Sequence, residues 1–394
     1  MKNLELDAMI KKSAEETRAR WPWREPEVFN YNSTKDQVRM ANLLNSKEVR
    51  DTFDPIEGIA ESEFELLYPE LIDKPKEREE YVASVLEQGN EYGEWVFNQG
   101  FLIRYPDRNR YRDLRTYRYR NLITKEEQER LNQSQAAVFG LSVGGNIAVA
   151  LARNGIGRAL ALGDFDVMDI SGLGRTVADI RDVGFSKLDV VAKQVSMLDP
   201  FIEQKHFREG FRENIKDELV EFGPDVIFDE IDSMPTSAVI RVFCRELKIP
   251  YLTAADVGVR PTLEVRYNWD NKKLYAGMVS DRDAEKMMSG EASDEEQAII
   301  FAKSVGIANM LATPRLIESY SKIGEELAGV SQLGSTALMT AGFSVQACVD
   351  ILLGNNPREG LTALKPDVAL KTKPSILETV RILRSAKLRS KNLT

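Results

Sequence analysis

The stretch VFGLSVGGN, residues 138–146, carries the glycines of a nucleotide-binding loop directly after a short apolar run. A dinucleotide loop has the pattern Gly-x-Gly-x-x-Gly after a strand, and its middle glycine lets the backbone approach a pyrophosphate closely. Gly140 and Gly145 occupy the first and third positions here, but Ser142 occupies the second. The loop therefore predicts a bound nucleotide, and the serine counts against a dinucleotide.

Strand and helix patterns alternate from residue 135 onward. The predicted strands are QAAVFGL, RALALGDFD, PDVIFDEID and PYLTAAD, with helical patterns between them. This order is typical of an α/β fold, and we expect a Rossmann-like, mostly parallel sheet with helices on both faces. TLEVRYN alternates apolar and polar residues, which indicates an antiparallel strand with one wet face. The acidic stretch 280–297 is expected to form a surface excursion, and GSTALMTAGFSVQACVDILLGN a closing helix on the sheet.

Residues 1–117 are polar, dotted with aromatic residues and mainly helical in pattern, as in SEFELLYPELIDKP and KEREEYVASVLEQGNEYGEWVF. This N-terminal region is the candidate for the part of the protein that grips the substrate. The nucleotide-binding domain is expected over 118–356, followed by a C-terminal tail, 357–394. Residues 104–120 interleave seven arginines with tyrosines. They suit either an RNA-binding stripe or a linker paired with the acidic N-terminal helices, and the second interpretation is favoured.

The overall composition is that of a soluble globular protein with 394 residues, enough for two domains. The net charge of −9 argues against a nucleic-acid partner, because the negative charges of a nucleic acid and of this protein repel each other. The N-terminus has no apolar targeting segment, and the most apolar run, 335–353, contains Asp350. We therefore expect a cytoplasmic protein without a membrane partner.

The chain contains two cysteines, Cys244 and Cys348, and one histidine, His206. A zinc site with four cysteines, or with two cysteines and two histidines, cannot be built from one such chain, so we expect no zinc. His206 is expected to be an ordinary strand or surface residue.

Charged residues gather where the predicted parallel strands end, which is where such sheets bind ligands. Asp164 and Asp166 end the second strand, and an acid there can accept hydrogen bonds from two ribose hydroxyls. Loop and acid alone suit NAD and ATP equally. Arg175 and Lys187 follow, and the strand IFDEID ends in further acids.

The later charges favour a triphosphate with Mg²⁺. Two cations can neutralise a reacting phosphate, and a strand-end acid, Asp232 with Asp229 as a second candidate, can hold the metal. A nicotinamide enzyme needs none of these groups. The expected cofactors are thus ATP and Mg²⁺.

The run RYRNLITKEEQERLNQSQAAVFGLSVGGN, continued by GDFD, SGLGRT, DVGFSK and FDEID, resembles the ThiF/MoeB-type adenylyltransferases, the family of ubiquitin-activating enzymes. The resemblance covers roughly 118–270. It is similar most of all to a bacterial subgroup often fused to a nitroreductase-like domain. The resemblance implies that Asp164 binds ribose, that Arg175 and Lys187 bind phosphates, and that Asp232 binds Mg²⁺. It also implies that Arg120 reaches the nucleotide of a second subunit, and hence a homodimer.

The sequence departs from the family pattern at three positions of the site, with Ser142, Gly172 and Ser233 in place of glycine, asparagine and asparagine. It also lacks the cysteine that other members place between 245 and 347, so no thioester is expected. The implied activity is ATP-dependent adenylation of a carboxylate, at the C-terminus of a peptide or small ubiquitin-like protein. Three alternatives stay open: a degenerate nucleotide-binding module, an NAD or FAD oxidoreductase, and a tRNA-modifying member of the family.

Overall fold

The computed structural model of the protein describes residues 2–46, 48–271, 273–275, 279–306 and 312–370. These residues divide into two compact units. The first takes the described residues of Met1–Glu129 together with Ala192–Ile202, and the second those of Arg130–Val191 and Glu203–Thr394. The predicted domain boundaries stay predictions, and residues 371–394 of the predicted tail lie outside the described part.

The first unit combines helices with a small sheet. Its elements in chain order are α1 (Lys2–Ala19), β1 (Glu27–Phe29), α2 (Thr34–Asn45), β2 (Asp51–Phe53), α3 (Ile56–Leu67), α4 (Pro75–Gln88), β3 (Gly93–Asn98), β4 (Phe101–Pro106) and α5 (Arg108–Arg115). The strand order is β1-β3-β4-β2, with only the β2–β4 pair parallel. The predicted helices are present, but the sheet was not predicted.

The β3–β4 hairpin corrects one helix assignment, because the pattern ending in GEWVF was predicted to be helical throughout. α4 ends at Gln88, and Gly89 has a φ of +54°, a conformation that glycine adopts without strain. Gly93 then pairs so closely with β4 that a Cβ atom there would lie 2.1 Å from the Tyr105 carbonyl oxygen. Gln99 and Gly100 both have positive φ, which suits a two-residue hairpin turn.

The second unit is built on a larger sheet. The next elements are α6 (Lys125–Gln133), which begins just before this unit, β5 (Gln135–Phe139), α7 (Val143–Arg153), β6 (Ala159–Gly163), α8 (Lys187–Leu198), whose residues from Ala192 onward belong to the first unit, β7 (Glu203–Phe207), α9 (Lys216–Phe222), β8 (Val226–Asp229), α10 (Met234–Leu247), β9 (Tyr251–Val257), β10 (Arg260–Arg266), α11 (Asp281–Ser289), α12 (Asp294–Ser304), α13 (Pro314–Tyr320), α14 (Gly334–Leu353), β11 (Gly360–Ala363) and α15 (Pro366–Ala369).

The sheet of the second unit has the order β11-β10-β9-β8-β5-β6-β7. The five strands from β9 to β7 are parallel, and β10 and β11 are antiparallel additions at one side. The central strands are buried along nearly their whole length, as expected when helices cover both faces. The predicted α/β, Rossmann-like fold is confirmed.

Strand β10 is antiparallel as predicted, but its predicted wet face is wrong. Six of its seven residues are buried, including Glu264 and Arg266. The Arg241 guanidinium of α10 donates to the Glu264 carboxylate at 2.9 Å, and both side chains are at most 3% exposed. Buried charges are tolerated when they are paired in this way. Glu264 therefore faces an internal ion pair, and the neighbouring Thr262 and Arg266 side chains donate to backbone carbonyls inside the fold instead of facing solvent.

The acidic stretch after β10 folds into α11 and α12 over a core of its own. That core contains Leu274, Tyr275, Val279, Ala284, Met287, Ala292 and Ile300, and it packs against Met234 and Val242 of α10. The stretch that was predicted to be a surface excursion thus forms two helices that share a small core.

The predicted closing helix, α14, packs against β9, β10 and α7. Its small residues Ala337, Ala341 and Val345 are buried there. By length and composition alone it could also cross a membrane, but half of its apolar window is buried inside the fold, as in the core helix of a globular protein. A cytoplasmic location stays a prediction.

Candidate nucleotide-binding site

The glycine loop between β5 and α7 has a backbone that other residues could not adopt. Gly140 has a φ of +83°, and a Cβ atom there would lie 2.3 Å from the Glu230 carbonyl oxygen. A Cβ atom at Gly145 would lie 2.8 Å from a Val191 methyl group, so this glycine lets α7 pack closely against its neighbour. The context of strand, tight turn and helix is the one the sequence predicted.

Ser142 stands at the N-cap of α7, yet its side chain makes no capping hydrogen bond. Its Oγ is buried and has no hydrogen-bond partner among the residues that the structure describes. A buried hydroxyl without a partner costs free energy, and in native proteins it often marks the place of a ligand or water. The first N–H groups of a helix also attract anions. The middle position of the loop therefore offers a donor where a phosphate would lie.

Asp164 directly follows β6 and is 7% exposed. One of its carboxylate oxygens accepts the Leu141 N–H at 2.6 Å, and the other accepts the Asp166 N–H at 2.7 Å. Burial raises the pKa of Asp164, although these hydrogen bonds work in the opposite direction. The Asp164 carboxylate therefore holds the glycine loop in place through the hydrogen bond from Leu141. A ribose would bind through the remaining lone pairs of the same two oxygens.

The two predicted phosphate-binding cations come from different segments. Lys187 opens α8, and its Nζ lies 2.8 Å from a carboxylate oxygen of Asp166. The Nε of Arg175 donates to the Gln332 side-chain oxygen at 2.6 Å. The Asn146 side chain of α7 donates to the Arg175 carbonyl oxygen at 2.7 Å. Both cations are therefore held in place by named partners.

Asp232 follows β8 at the same edge of the sheet and remains accessible to solvent. Loss of hydration raises its pKa, the charges of Lys187 and Arg175 lower it, and the charge of Asp166 raises it. Asp166, Lys187 and Arg175 therefore all lie within electrostatic reach of Asp232. The structure brings together the acid and the two cations that were predicted to act on a triphosphate.

Asp229, the second candidate metal ligand, is buried, whereas Asp232 is exposed. The Asp229 side chain is 1% exposed; one oxygen accepts the Tyr251 hydroxyl at 2.7 Å and the other accepts the Ile231 N–H at 3.2 Å. This burial argues against Asp229 as a metal ligand. Among the described residues no group of three or more acids, histidines or cysteines could hold a metal. A Mg²⁺ ion here would depend on Asp232, phosphate oxygens and water, which is a ligand set that Mg²⁺ commonly uses.

Glu230 is a site residue that the sequence reasoning missed. Its carboxylate accepts the Ala254 N–H at 2.9 Å, and its side chain lies against the Gly144 position of α7. Burial raises the pKa of Glu230 well above its usual range, and the charges of Asp229, Asp256 and Asp232 add to this effect. The sequence contained one signal for Glu230, because the strand-end motif FDEID has a third acid.

Arg120 lies in the first unit. It is exposed, and its guanidinium lies 3.8 Å from the centre of the Tyr117 ring. Four of the seven arginines in 104–120 pair with acids of the same unit: Arg104 with Asp54, Arg110 with Glu63, and Arg112 and Arg115 with Asp199. Most arginines of this stripe are thus used in ion pairs within the first unit. The in-trans role of Arg120 stays a prediction.

The two cysteines and the histidine lie in structural positions. Cys244 on α10 and Cys348 on α14 are fully buried, and burial raises the pKa of both thiols. His206 lies on β7, with its Nε2 3.2 Å from the Gln204 side-chain oxygen. His206 therefore lies on a strand, and its lack of a functional role stays a prediction.

The sequence pattern of the ThiF family matches residues 115–387. The chain belongs to the ThiF family. Among its relatives is the uncharacterised protein MT1398 of Mycobacterium tuberculosis (strain CDC 1551 / Oshkosh), 28% identical over 265 residues, which are 66% of this chain and 36% of that protein. Another is the tRNA threonylcarbamoyladenosine dehydratase of Bacillus subtilis (strain 168), 31% identical over 134 residues, or 34% of this chain and 52% of the relative. The ThiF chain thus spans about half or less of the length of these curated relatives.

Solved structures show distant likenesses to this ThiF protein. Escherichia coli TcdA, a tRNA N6-threonylcarbamoyladenosine dehydratase, is 19% identical with a TM-score of 0.45 over 62% of this chain and 95% of that chain. Escherichia coli MccB with ATP is 14% identical with a TM-score of 0.40 over 61% and 65%. The likeness to the subgroup fused to nitroreductase-like domains stays a prediction.

Proposed function

We propose that this ThiF protein activates a carboxylate by ATP-dependent adenylation. A carboxylate oxygen of the acceptor bonds to the α-phosphorus of ATP. The bond from that phosphorus to the bridging oxygen breaks, and pyrophosphate leaves with the electron pair. The products are acyl-AMP and pyrophosphate. The observation that carries this proposal is that Lys187 and Arg175 both act on the charge of Asp232. The Asn146 side chain also ties the Arg175 backbone to the first turns of α7, the helix whose N-cap Ser142 has a hydroxyl without a partner among the described residues.

Such a reaction needs positioning and charge neutralisation more than a covalent group from the protein. Lys187 and Arg175 would stabilise the charge that develops on the phosphates, and the N-terminus of α7 would add its N–H groups. Asp164 and Asp166, which are joined by a hydrogen bond from the Asp166 N–H, would hold the ribose hydroxyls. Asp232 would hold a Mg²⁺ ion, which supplies further charge neutralisation when bound.

The acceptor we propose is the C-terminal carboxylate of a peptide or small protein, gripped by the N-terminal region 1–117. In a homodimer, Arg120 of each subunit would complete the partner's site. The deeply buried positions of Cys244 and Cys348 support an acyl-adenylate that is not passed to a thiol of this chain.

The same chemistry on a carboxylate carried by tRNA is a second candidate. It is favoured by the 31% identity to a tRNA threonylcarbamoyladenosine dehydratase. The internal pairing of four arginines in 104–120 weakens it, because paired arginines contribute less to phosphate binding. A steep fall of tRNA affinity with salt, at a micromolar or tighter dissociation constant, would support this candidate.

The central test compares two lysines by calorimetry and by ATP–pyrophosphate exchange with a pool of C-terminal peptides. The Nζ of Lys187 and of Lys216 each lie close to one carboxylate, at 2.8 and 2.7 Å, but Lys216 lies at the start of α9. We expect Lys187→Met to weaken ATP binding about 10- to 100-fold, since a hydrogen bond to a charged group contributes about 1.5–3 kcal/mol. Lys216→Met should bind ATP as the wild type does.

Three results would contradict the proposal or one of its parts. Micromolar binding of NAD with no binding of ATP would favour the oxidoreductase. ATP binding without any exchange would favour the degenerate nucleotide-binding module. Equal effects of the two lysine substitutions would remove Lys187 from the phosphate site.

A further inference from the structure

Asp256, near the carboxyl end of β9, is a buried acid with one oxygen left open. The residue is 7% exposed, and one carboxylate oxygen accepts the Thr340 hydroxyl of α14. The other oxygen is buried and has no hydrogen-bond partner among the described residues. Buried carboxylate oxygens are normally satisfied, so an open one in a native fold marks the place of a ligand group or a water.

The position of Asp256 places it at the nucleotide edge of the sheet. β9 runs parallel to β8, so the carboxyl ends of both strands meet at the edge that carries Asp232. The charge of Arg175 acts on the Asp256 carboxylate and lowers its pKa, against the effect of burial. No ion pair within 4 Å joins these two groups in the described part of the chain, and the Arg175 Nε is bound to Gln332.

A second open group lies nearby along α14. Ser344 follows Thr340 by one helical turn on the same face, is fully buried, and its Oγ also lacks a partner among the described residues. α14 packs along β9, so both open groups belong to the same layer of the fold.

The charges around Asp256 decide what kind of group fits. Glu230 lies within electrostatic reach of it, and Asp232 within reach of Glu230. Arg175 is a cation within reach of Asp256, but its Nε is bound to Gln332. A phosphate or carboxylate in direct contact with Asp256 would be repelled by its charge, while a positively charged N–H donor would be attracted and hydrogen-bonded to the open oxygen.

We propose that Asp256 is a specificity-determining residue that binds an ammonium or guanidinium group of the acceptor, close to the carboxylate that is activated. This inference rests on the proposed adenylation, whose substrate class it narrows. The acceptor carries both charges: its carboxylate points towards Arg175 and Lys187, and its cation towards Asp256. Such a ligand is either a free basic amino acid or the C-terminus of a chain with a lysine or arginine near its end.

The test uses matched probes that differ only in the cation. Free L-lysine is compared with L-norleucine, and a tripeptide pool with lysine before the C-terminal residue is compared with the same pool carrying norleucine. Binding is measured by calorimetry with Mg²⁺ and a non-hydrolysable ATP analogue, and turnover by pyrophosphate exchange. The free and peptide probes separate the two sources of the ligand.

We expect the wild type to prefer a lysine probe by about 100-fold or more, because a site built for a polar group rejects an analogue that lacks it. Asp256→Asn keeps the shape of the side chain and should abolish the preference while ATP still binds. Thr340→Val removes only the hydroxyl that Asp256 accepts, and it should keep the preference. Thermal unfolding midpoints show that each variant is folded.

The two proposals fail in different ways. Equal binding of lysine and norleucine probes by the wild type, or a preference that Asp256→Asn leaves intact, overturns the role of Asp256. A cation preference that depends on Asp256, seen without any pyrophosphate exchange, keeps Asp256 as the residue that binds the cation and overturns adenylation.

Discussion

Ser142→Ala is expected to stabilise the protein without nucleotide and to weaken ATP binding. The Ser142 Oγ is buried, makes no capping bond and has no partner among the described residues. Removing an unsatisfied buried hydroxyl relieves about 1–3 kcal/mol. The usual loss on replacing an N-cap serine does not apply in full, because that loss comes from a hydrogen bond that is absent here. A net gain of about 1–2 kcal/mol should raise the unfolding midpoint by about 2–5 °C in a domain of this size.

The effect on ATP has the opposite sign. If the hydroxyl donates to a phosphate oxygen, its loss removes a hydrogen bond to a charged group, which contributes about 1.5–3 kcal/mol. The dissociation constant for ATP should therefore rise about 10- to 100-fold. Differential scanning calorimetry measures the first effect, and isothermal titration calorimetry with Mg²⁺ and ATP the second.

Ser134 provides the matched control, because it lies just before the opposite end of strand β5. It is 8% exposed, and its hydroxyl donates to the Arg130 carbonyl oxygen at 2.8 Å. Ser134→Ala should lower stability by about 1 kcal/mol and leave ATP binding unchanged. A loss of stability in Ser142→Ala, or an unchanged affinity for ATP, would refute the assignment of this hydroxyl to a phosphate.

Four further outcomes are expected. Asp232→Asn should abolish pyrophosphate exchange in a folded protein, because a lost metal carboxylate removes several kcal/mol of transition-state stabilisation; wild-type exchange would exclude this metal site. No reductant-sensitive acyl adduct should form on Cys244 or Cys348, as mass spectrometry of the intact protein can show. Burial lowers the pKa of His206 to about 4. Since the folded pKa lies below the unfolded one, stability is lost as the pH falls from about 6.5 to 4, by at most about 3 kcal/mol, and denaturant titrations of His206→Gln should lack this loss. Mixing Arg120→Ala with Asp232→Asn subunits should restore about half of the wild-type activity per heterodimer, if Arg120 acts across a two-fold interface; free subunit exchange without recovery would place Arg120 in cis.

The parallel part of the fold could be predicted because its strands carry their signals locally. β5, β6 and β8 are apolar runs that end in glycine or aspartate or are directly followed by glycine. The helices between them begin and end at recognisable residues. The same order of strand ends predicted that Asp164, Lys187 and Asp232 would face one edge. In that part of the chain, local pattern and tertiary packing agree.

The N-terminal sheet could not be predicted in the same way. β1 and β2 have three residues each, too few for a periodic pattern, and they pair with β3 and β4 tens of residues later. The wrong assignment of GEWVF arose because the apolar spacing of α4 continues past Gly89. The positive φ of Gly89 ends the helix, and pairing with β4 then decides the strand.

Several contacts of the candidate site were also outside the reach of local patterns. Gln332 meets Arg175 across 157 positions, and Thr340 meets Asp256 across 84. Both depend on how α14 and the segment before it lie against the sheet. The buried state of Glu264 depends likewise on Arg241, which no alternation of polar and apolar residues reveals.

The antiparallel edge of the large sheet has a consequence for how the chain is made. β10 is almost entirely buried, and on its outer side it pairs with β11, where Thr262 lies opposite Ala363. During synthesis from the N-terminus, β10 must wait for α14 and β11 to emerge before that side is covered. Until then it presents unpaired N–H and C=O groups beside apolar side chains, a surface on which another nascent chain can add a strand. The short strand β11 thus covers the backbone N–H and C=O groups of β10. A ribosomal pause between the two strands would lengthen the time in which β10 can pair with another chain.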